Sequence, residues 1–135
     1  FQPLSYNWCY DFNIYNQNLD FIAGFYRKEM KEGKIRFPDR YYYLYTDQEN
    51  LKYRKKNDNT RKRGNFEKHL EVIEPHQRYY NALNSFIPDY VQLIKAESIQ
   101  GNILSITDNL SSHPVNLDSV ELLENIINWL NNNKA

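Results

Sequence analysis

The apolar residues of this chain change their period along its length, and that change restricts the fold more than any other feature. Residues 6 to 15, YNWCYDFNIY, alternate strictly, with Tyr6, Trp8, Tyr10, Phe12 and Ile14 on one face and Asn7, Cys9, Asp11 and Asn13 on the other. A period of two belongs to a half-buried strand. From Leu19 the spacing lengthens. Leu19, Ile22, Ala23, Tyr26 and Met30 follow one face of a helix, with Asn18 in the N-cap position and Gly33 placed to end it in a left-handed conformation.

Three short strands are expected next: KIRF (34 to 37), RYYYLYT (40 to 46) and LKYRKK (51 to 56), with turns at Pro38-Asp39 and at 47 to 50. A loop, NDNTRKRGN (57 to 65), leads to Asn65 as the cap of a short helix carrying Phe66, Leu70 and Ile73 and ending at Pro75. A second helix spans 75 to 87 with Tyr79, Tyr80, Leu83 and Phe86, closed by Pro88. Residues 90 to 97 and 102 to 107 read as a hairpin around Gln100-Gly101, although the first of them also suits a helix. The last helix is the best signalled. Asp118 and Glu121 have capping-box spacing, Leu117 and Leu122 stand at the staple positions, and Val120, Leu123, Ile127 and Leu130 line one face. This order predicts an α+β domain with a mostly antiparallel sheet of about five to six strands and helices packed on one side.

At 135 residues the chain suits a single domain, 1 to 135, and its opening on Phe1 suits a processed form or a piece of a longer chain. Aromatic residues are 16% of the chain, enough large rings to order a core. The lone Cys9 excludes an internal disulfide framework and a cysteine-rich zinc site, and reads as a passive thiol. No apolar run approaches the roughly 18 residues of a membrane span and no signal peptide is visible, so a soluble, cytoplasmic or nuclear protein without membrane contact is expected. No phosphate-binding glycine loop, H-E-x-x-H pair or dense His/Cys/Asp cluster occurs. No cofactor, metal site or catalytic residue is therefore assigned, and the reading leans away from an enzyme.

The formal charge is zero, but residues 52 to 63 hold seven basic side chains against one acidic. Residues 64 to 135 hold four basic against nine acidic, so a neutral total hides a dipolar molecule. Strand parity gives the basic stretch a geometry. If Ile35, Phe37, Leu51 and Tyr53 face the core, then Lys34, Arg36, Lys52, Arg54 and Lys56 form a row on the other sheet face. Lys55 and the loop residues Arg61, Lys62 and Arg63 extend it. The middle strand sets either Tyr41, Tyr43 and Tyr45 or Tyr42 and Leu44 beside the cations, so Tyr42 or Tyr43 is the candidate stacking ring. Cations that meet phosphates, interleaved with rings that stack on bases, are what single-stranded nucleic acid requires. A nucleic-acid-binding domain, for RNA or DNA, is the leading expectation. The alternative is a protein-interaction or assembly module in which the basic patch meets an acidic protein partner.

Some short stretches resemble nucleases. LDFIAGF (19 to 25) resembles the opening helix of LAGLIDADG homing endonucleases, a family of alternating helices and hairpins. Tyr26 and Arg27 stand where its metal-binding acid would follow, so the resemblance implies an inactive relative. Arg63 and His69 resemble the Arg-x4-6-His pair of the all-helical HEPN ribonucleases, in which the histidine serves as general base. Here Gly64 replaces the polar residue after the arginine. Pro88-Asp89 with Glu97 is similar to the start of a PD-(D/E)xK nuclease motif, but Lys95 precedes Glu97 and the order fails. Together these imply at most a degenerate nuclease-like domain.

Overall fold

The computed structural model describes residues 19–60, 64, 66–96, 98–110 and 116–133. The strand expected at 6 to 15, Cys9, the caps Asn18 and Asn65, the cations 61 to 63 and Glu97 lie outside them. In chain order the elements are α1 (Leu19–Lys31), β1 (Tyr41–Tyr45), α2 (Gln48–Asn57), α3 (Phe66–Glu71), α4 (Ile73–Phe86), β2 (Val91–Lys95), α5 (Ile99–Asn109) and α6 (Ser119–Asn132). The molecule is mostly helical, and β1 and β2 form one two-stranded parallel sheet in the register Tyr41↔Val91 to Tyr45↔Lys95. This overturns the expected antiparallel sheet of five to six strands.

Several local signals act as their chemistry dictates. Gly33 takes φ 69°, its N–H donates to Met30 O and Lys34 N–H donates to Glu29 O, closing α1 with the paired hydrogen bonds of a Schellman cap. Asp118 caps α6 through Oδ1, which accepts from Val120 N–H at 3.0 Å and Glu121 N–H at 3.1 Å. Leu117 packs against the core and Leu122 lies within it, as staple positions require.

The core lies between α1, α4, α6 and one face of the sheet. Tyr26 and Met30 of α1, Tyr79, Tyr80 and Leu83 of α4, and Leu122, Leu123, Ile126 and Ile127 of α6 are buried there with Tyr90 and Val91. Tyr41 and Tyr43 meet Tyr80, so the odd residues of β1 face this core and Tyr42 and Leu44 take the other face. Arg27 of α1 bridges to Glu124 of α6 with two hydrogen bonds, Nη2 to Oε2 at 3.1 Å being the longer.

Three expected strands are absent, each for a physical reason. KIRF is irregular: Phe37 is fully buried, but its backbone N–H donates to Ser119 Oγ at 3.0 Å and not to a neighbouring strand. LKYRKK lies in α2. The supposed turn at 47 to 50 starts that helix, with Asp47 Oδ1 accepting from Asn50 N–H at 2.7 Å. Residues 102 to 107 belong to α5, where Ser98 Oγ accepts from Gly101 N–H at 3.0 Å. The Gln100-Gly101 pair is therefore a first helical turn and not a hairpin. A Cβ on Gly101 would stand 3.1 Å from Ser98 Oγ, so glycine gives the cap room.

Candidate nucleic-acid interface

The sheet-face row of cations does not form, because its members lie on different kinds of structure. Lys34 and Arg36 follow α1 in irregular backbone. Lys34 Nζ pairs with Glu32 at 2.5 Å and Glu29 at 3.5 Å, and the Glu32 hydrogen bond followed by the Glu29 charge raises its pKa. Arg36 pairs with Asp39 at 3.5 Å. Their charge is met locally. Tyr43 stacks on Tyr80 with centroids 4.7 Å apart, which commits its ring to the core. Tyr42 is half-buried on the opposite face.

Lys52, Arg54, Lys55 and Lys56 share α2, and a helix spreads them around its axis. At 3.6 residues per turn, Lys52, Lys55 and Lys56 fall within an arc of about 100°, with Arg54 a further ~100° beyond Lys55. Arg54 Nη2 donates to Ala96 O just beyond β2 at 3.3 Å, and the Lys55 ammonium lies 4.2 Å from the Phe66 ring centroid. These two tie α2 to the body. A cavity of about 200 Å³ between α2 and α3 is lined by Leu51, Arg54, Lys55, Asp58 and Phe66. Asp58 accepts there from Thr60 N–H at 3.0 Å.

The outer face of α2 carries Lys52, Tyr53 and Lys56, and no residue of the helix is buried. Tyr53, expected in the core beside Leu51, is instead 69% exposed. Its ring was missed as a site candidate because strand parity assigned it to the wrong side. Glu49 shares this outer face one turn nearer the N-terminus. The charge order along α2 also has a local cause: Glu49 sits in the first turn and Arg54, Lys55 and Lys56 in the last, complementing the helix dipole. Asp47, hydrogen-bonded by Asn50 N–H, has its pKa lowered.

Elsewhere, His69 is exposed on α3, and its expected partner Arg63 lies outside the described residues. Among the described residues, no group of three or more His, Cys, Asp or Glu side chains is arranged to hold a metal ion. No described helix is long and apolar enough to cross a membrane. No hairpin of the homing-endonuclease kind occurs among the described elements. No family model, curated protein or solved structure matches the chain.

Proposed function

We propose that the protein binds single-stranded nucleic acid through the outer face of α2, together with the basic residues Arg61, Lys62 and Arg63 that follow it in sequence. The observation that carries this reading is a ten-residue helix with no buried residue that sets Lys52 and Lys56 beside an exposed tyrosine ring. A helix that contributes little to the core yet concentrates cations and an exposed ring has the composition of a phosphate-and-base surface. The contacts of Arg54 and Lys55 with the body hold the helix in place, so the outer face meets a ligand without first being ordered.

The test is the anisotropy of a labelled pyrimidine oligonucleotide titrated with protein at several salt concentrations. Each phosphate neutralised on a single strand contributes a slope of about -0.7 in log affinity against log salt. Lys52, Lys56 and the three cations at 61 to 63 therefore predict about -3.5. Replacing Lys52 and Lys56 together by Glu makes that slope shallower by about 1.4, and Tyr53→Ala costs about 1–3 kcal/mol if one base stacks there. Glu49→Gln strengthens binding. Absence of salt-dependent binding at low salt contradicts the reading. Salt-dependent binding to polyglutamate in its place would assign the same face to an acidic protein.

A further inference from the structure

The cavity between α2 and α3 lies on the side of α2 that faces the body. Leu51, Arg54, Lys55 and Asp58 follow i, i+3, i+4 and i+7 spacing, so they share one side of the helix, and Phe66 of α3 completes the lining. Its volume of about 200 Å³ lies below the roughly 300–1,000 Å³ of a pocket for a drug-sized molecule and suits a single flat ring system. Leu51 and the buried Phe66 give it apolar surface. Its polar groups are of both signs. Arg54 Nη2 donates to Ala96 O at 3.3 Å and the Lys55 ammonium stands 4.2 Å from the Phe66 ring centroid, which keeps two donor groups at the lining. Asp58 is half-buried, and Thr60 N–H and Oγ1–H both donate to its Oδ1, which fixes an acceptor among them.

A bare phosphate or carboxylate would meet the two cations, but Asp58 repels it and the apolar wall goes unused. A ring that brings donors to a carboxylate and acceptors to two cations matches every lining residue. Among the bases guanine has that pattern in full: N1–H and the N2 amino group suit a carboxylate, and O6 and N7 accept from Arg or Lys. Adenine would set its N1 lone pair against Asp58, and cytosine and uracil each bring a single donor group. The cavity side of α2 adjoins its outer face, Lys55 and Lys52 being about 60° apart around the helix axis, so a strand on that face can turn one base inward. We infer that the cavity holds a guanine base, with Asp58 accepting from N1–H and the N2 amino group and Arg54 and Lys55 donating to O6 and N7. The inference rests on the nucleic-acid reading and adds a base preference to it.

NMR shift titrations of the labelled protein with guanosine, adenosine, cytidine and uridine 5′-monophosphates test it, since the phosphate they share cancels in the ratio of affinities. Guanosine monophosphate is expected to bind at least about fivefold more tightly than each of the others, the lower end of what a bidentate base contact discriminates. Its shifts should centre on Leu51, Asp58 and Phe66. Asp58→Asn removes the preference; loss of a negative charge strengthens binding of every nucleotide, so the ratio is what is read. Leu51→Trp, which fills the cavity, removes the preference as well. Both variants keep the wild-type circular dichroism spectrum and the salt-dependent binding of a pyrimidine oligonucleotide. Equal affinity for the monophosphates, no binding of any, or a guanine preference that survives both variants overturns the inference. Oligonucleotide binding without a guanine preference overturns it alone and leaves the outer face of α2 standing. A guanine preference without oligonucleotide binding supports the cavity and contradicts the strand-binding reading.

Discussion

His76 sits in the first half of α4 with its Nδ1 2.7 Å from Val72 O and its ring stacked 6.4 Å from that of Tyr80. Burial lowers its pKa, opposed in part by the Val72 hydrogen bond. A histidine whose folded pKa is depressed binds its proton more readily in the unfolded chain. Its neutral form therefore suits the fold above the ordinary value of about 6.5, and stability falls as pH drops below that. Melting temperature measured against pH should show this decline, and His76→Gln should flatten it. Asn84 has a different task. Its Oδ1 accepts from Val91 N–H at 2.7 Å and its Nδ2 donates to Val91 O at 2.9 Å, so one amide satisfies both backbone groups at the start of β2. Tyr41 N–H to Tyr90 O and Ala96 N–H to Tyr45 O point the even-numbered backbone groups of β2 towards β1, leaving those of Val91 on the outer edge. Asn84→Ala removes both partners from a buried residue and should cost about 1–3 kcal/mol in urea unfolding. Gly33 and Asp118 were legible because caps are written in one or two residues. Asn84 was not, since its partner is seven residues away and its role exists only once α4 and β2 pack.

The elements that sequence periodicity identified are those with one buried face. α6 buries Leu122, Leu123, Ile126, Ile127 and Leu130, and α4 buries Tyr79, Tyr80 and Leu83, so their apolar spacing reports the core directly. α2 and α5 were misread because neither buries a clear stripe. Without one, periodicity has nothing to report, and the β-branched and aromatic residues of 51 to 56 and 102 to 107 argued for strands. Their caps, Asp47 and Ser98, held the better signal. Asp118→Ala should lower stability by about 1 kcal/mol, since two N–H groups of α6 lose their acceptor. The Arg27–Glu124 bridge joining α1 to α6 is partly exposed, so its loss should cost at most about 1 kcal/mol. Glu124 is held below the ordinary glutamate range by its hydrogen bond with Arg27, so this contribution is present at neutral pH and is lost as pH falls through the depressed value.

Across the whole molecule, the mixed class was legible in part: the helices α1, α4 and α6 and an aromatic strand at Tyr41–Tyr45 were expected where they occur. The sheet was not. A parallel pair requires β1 and β2 to be joined through α2, α3 and α4, and nothing local in the chain records which distant strands will meet. The same limit governed the candidate site. The sequence sets Lys52, Arg54, Lys55 and Lys56 on one strand and its loop, but the helix separates Arg54 and Lys55, which brace α2, from Lys52 and Lys56 on its outer face. The most direct test of the α2 assignment is a heteronuclear NMR titration of the labelled protein with a pyrimidine oligonucleotide at low salt. Shift changes concentrated on residues 49 to 57 are expected, with ring-current shifts of Tyr53 and reversal by added salt. Changes centred on Lys34 and Arg36 or on α5, or no change at all, would contradict it.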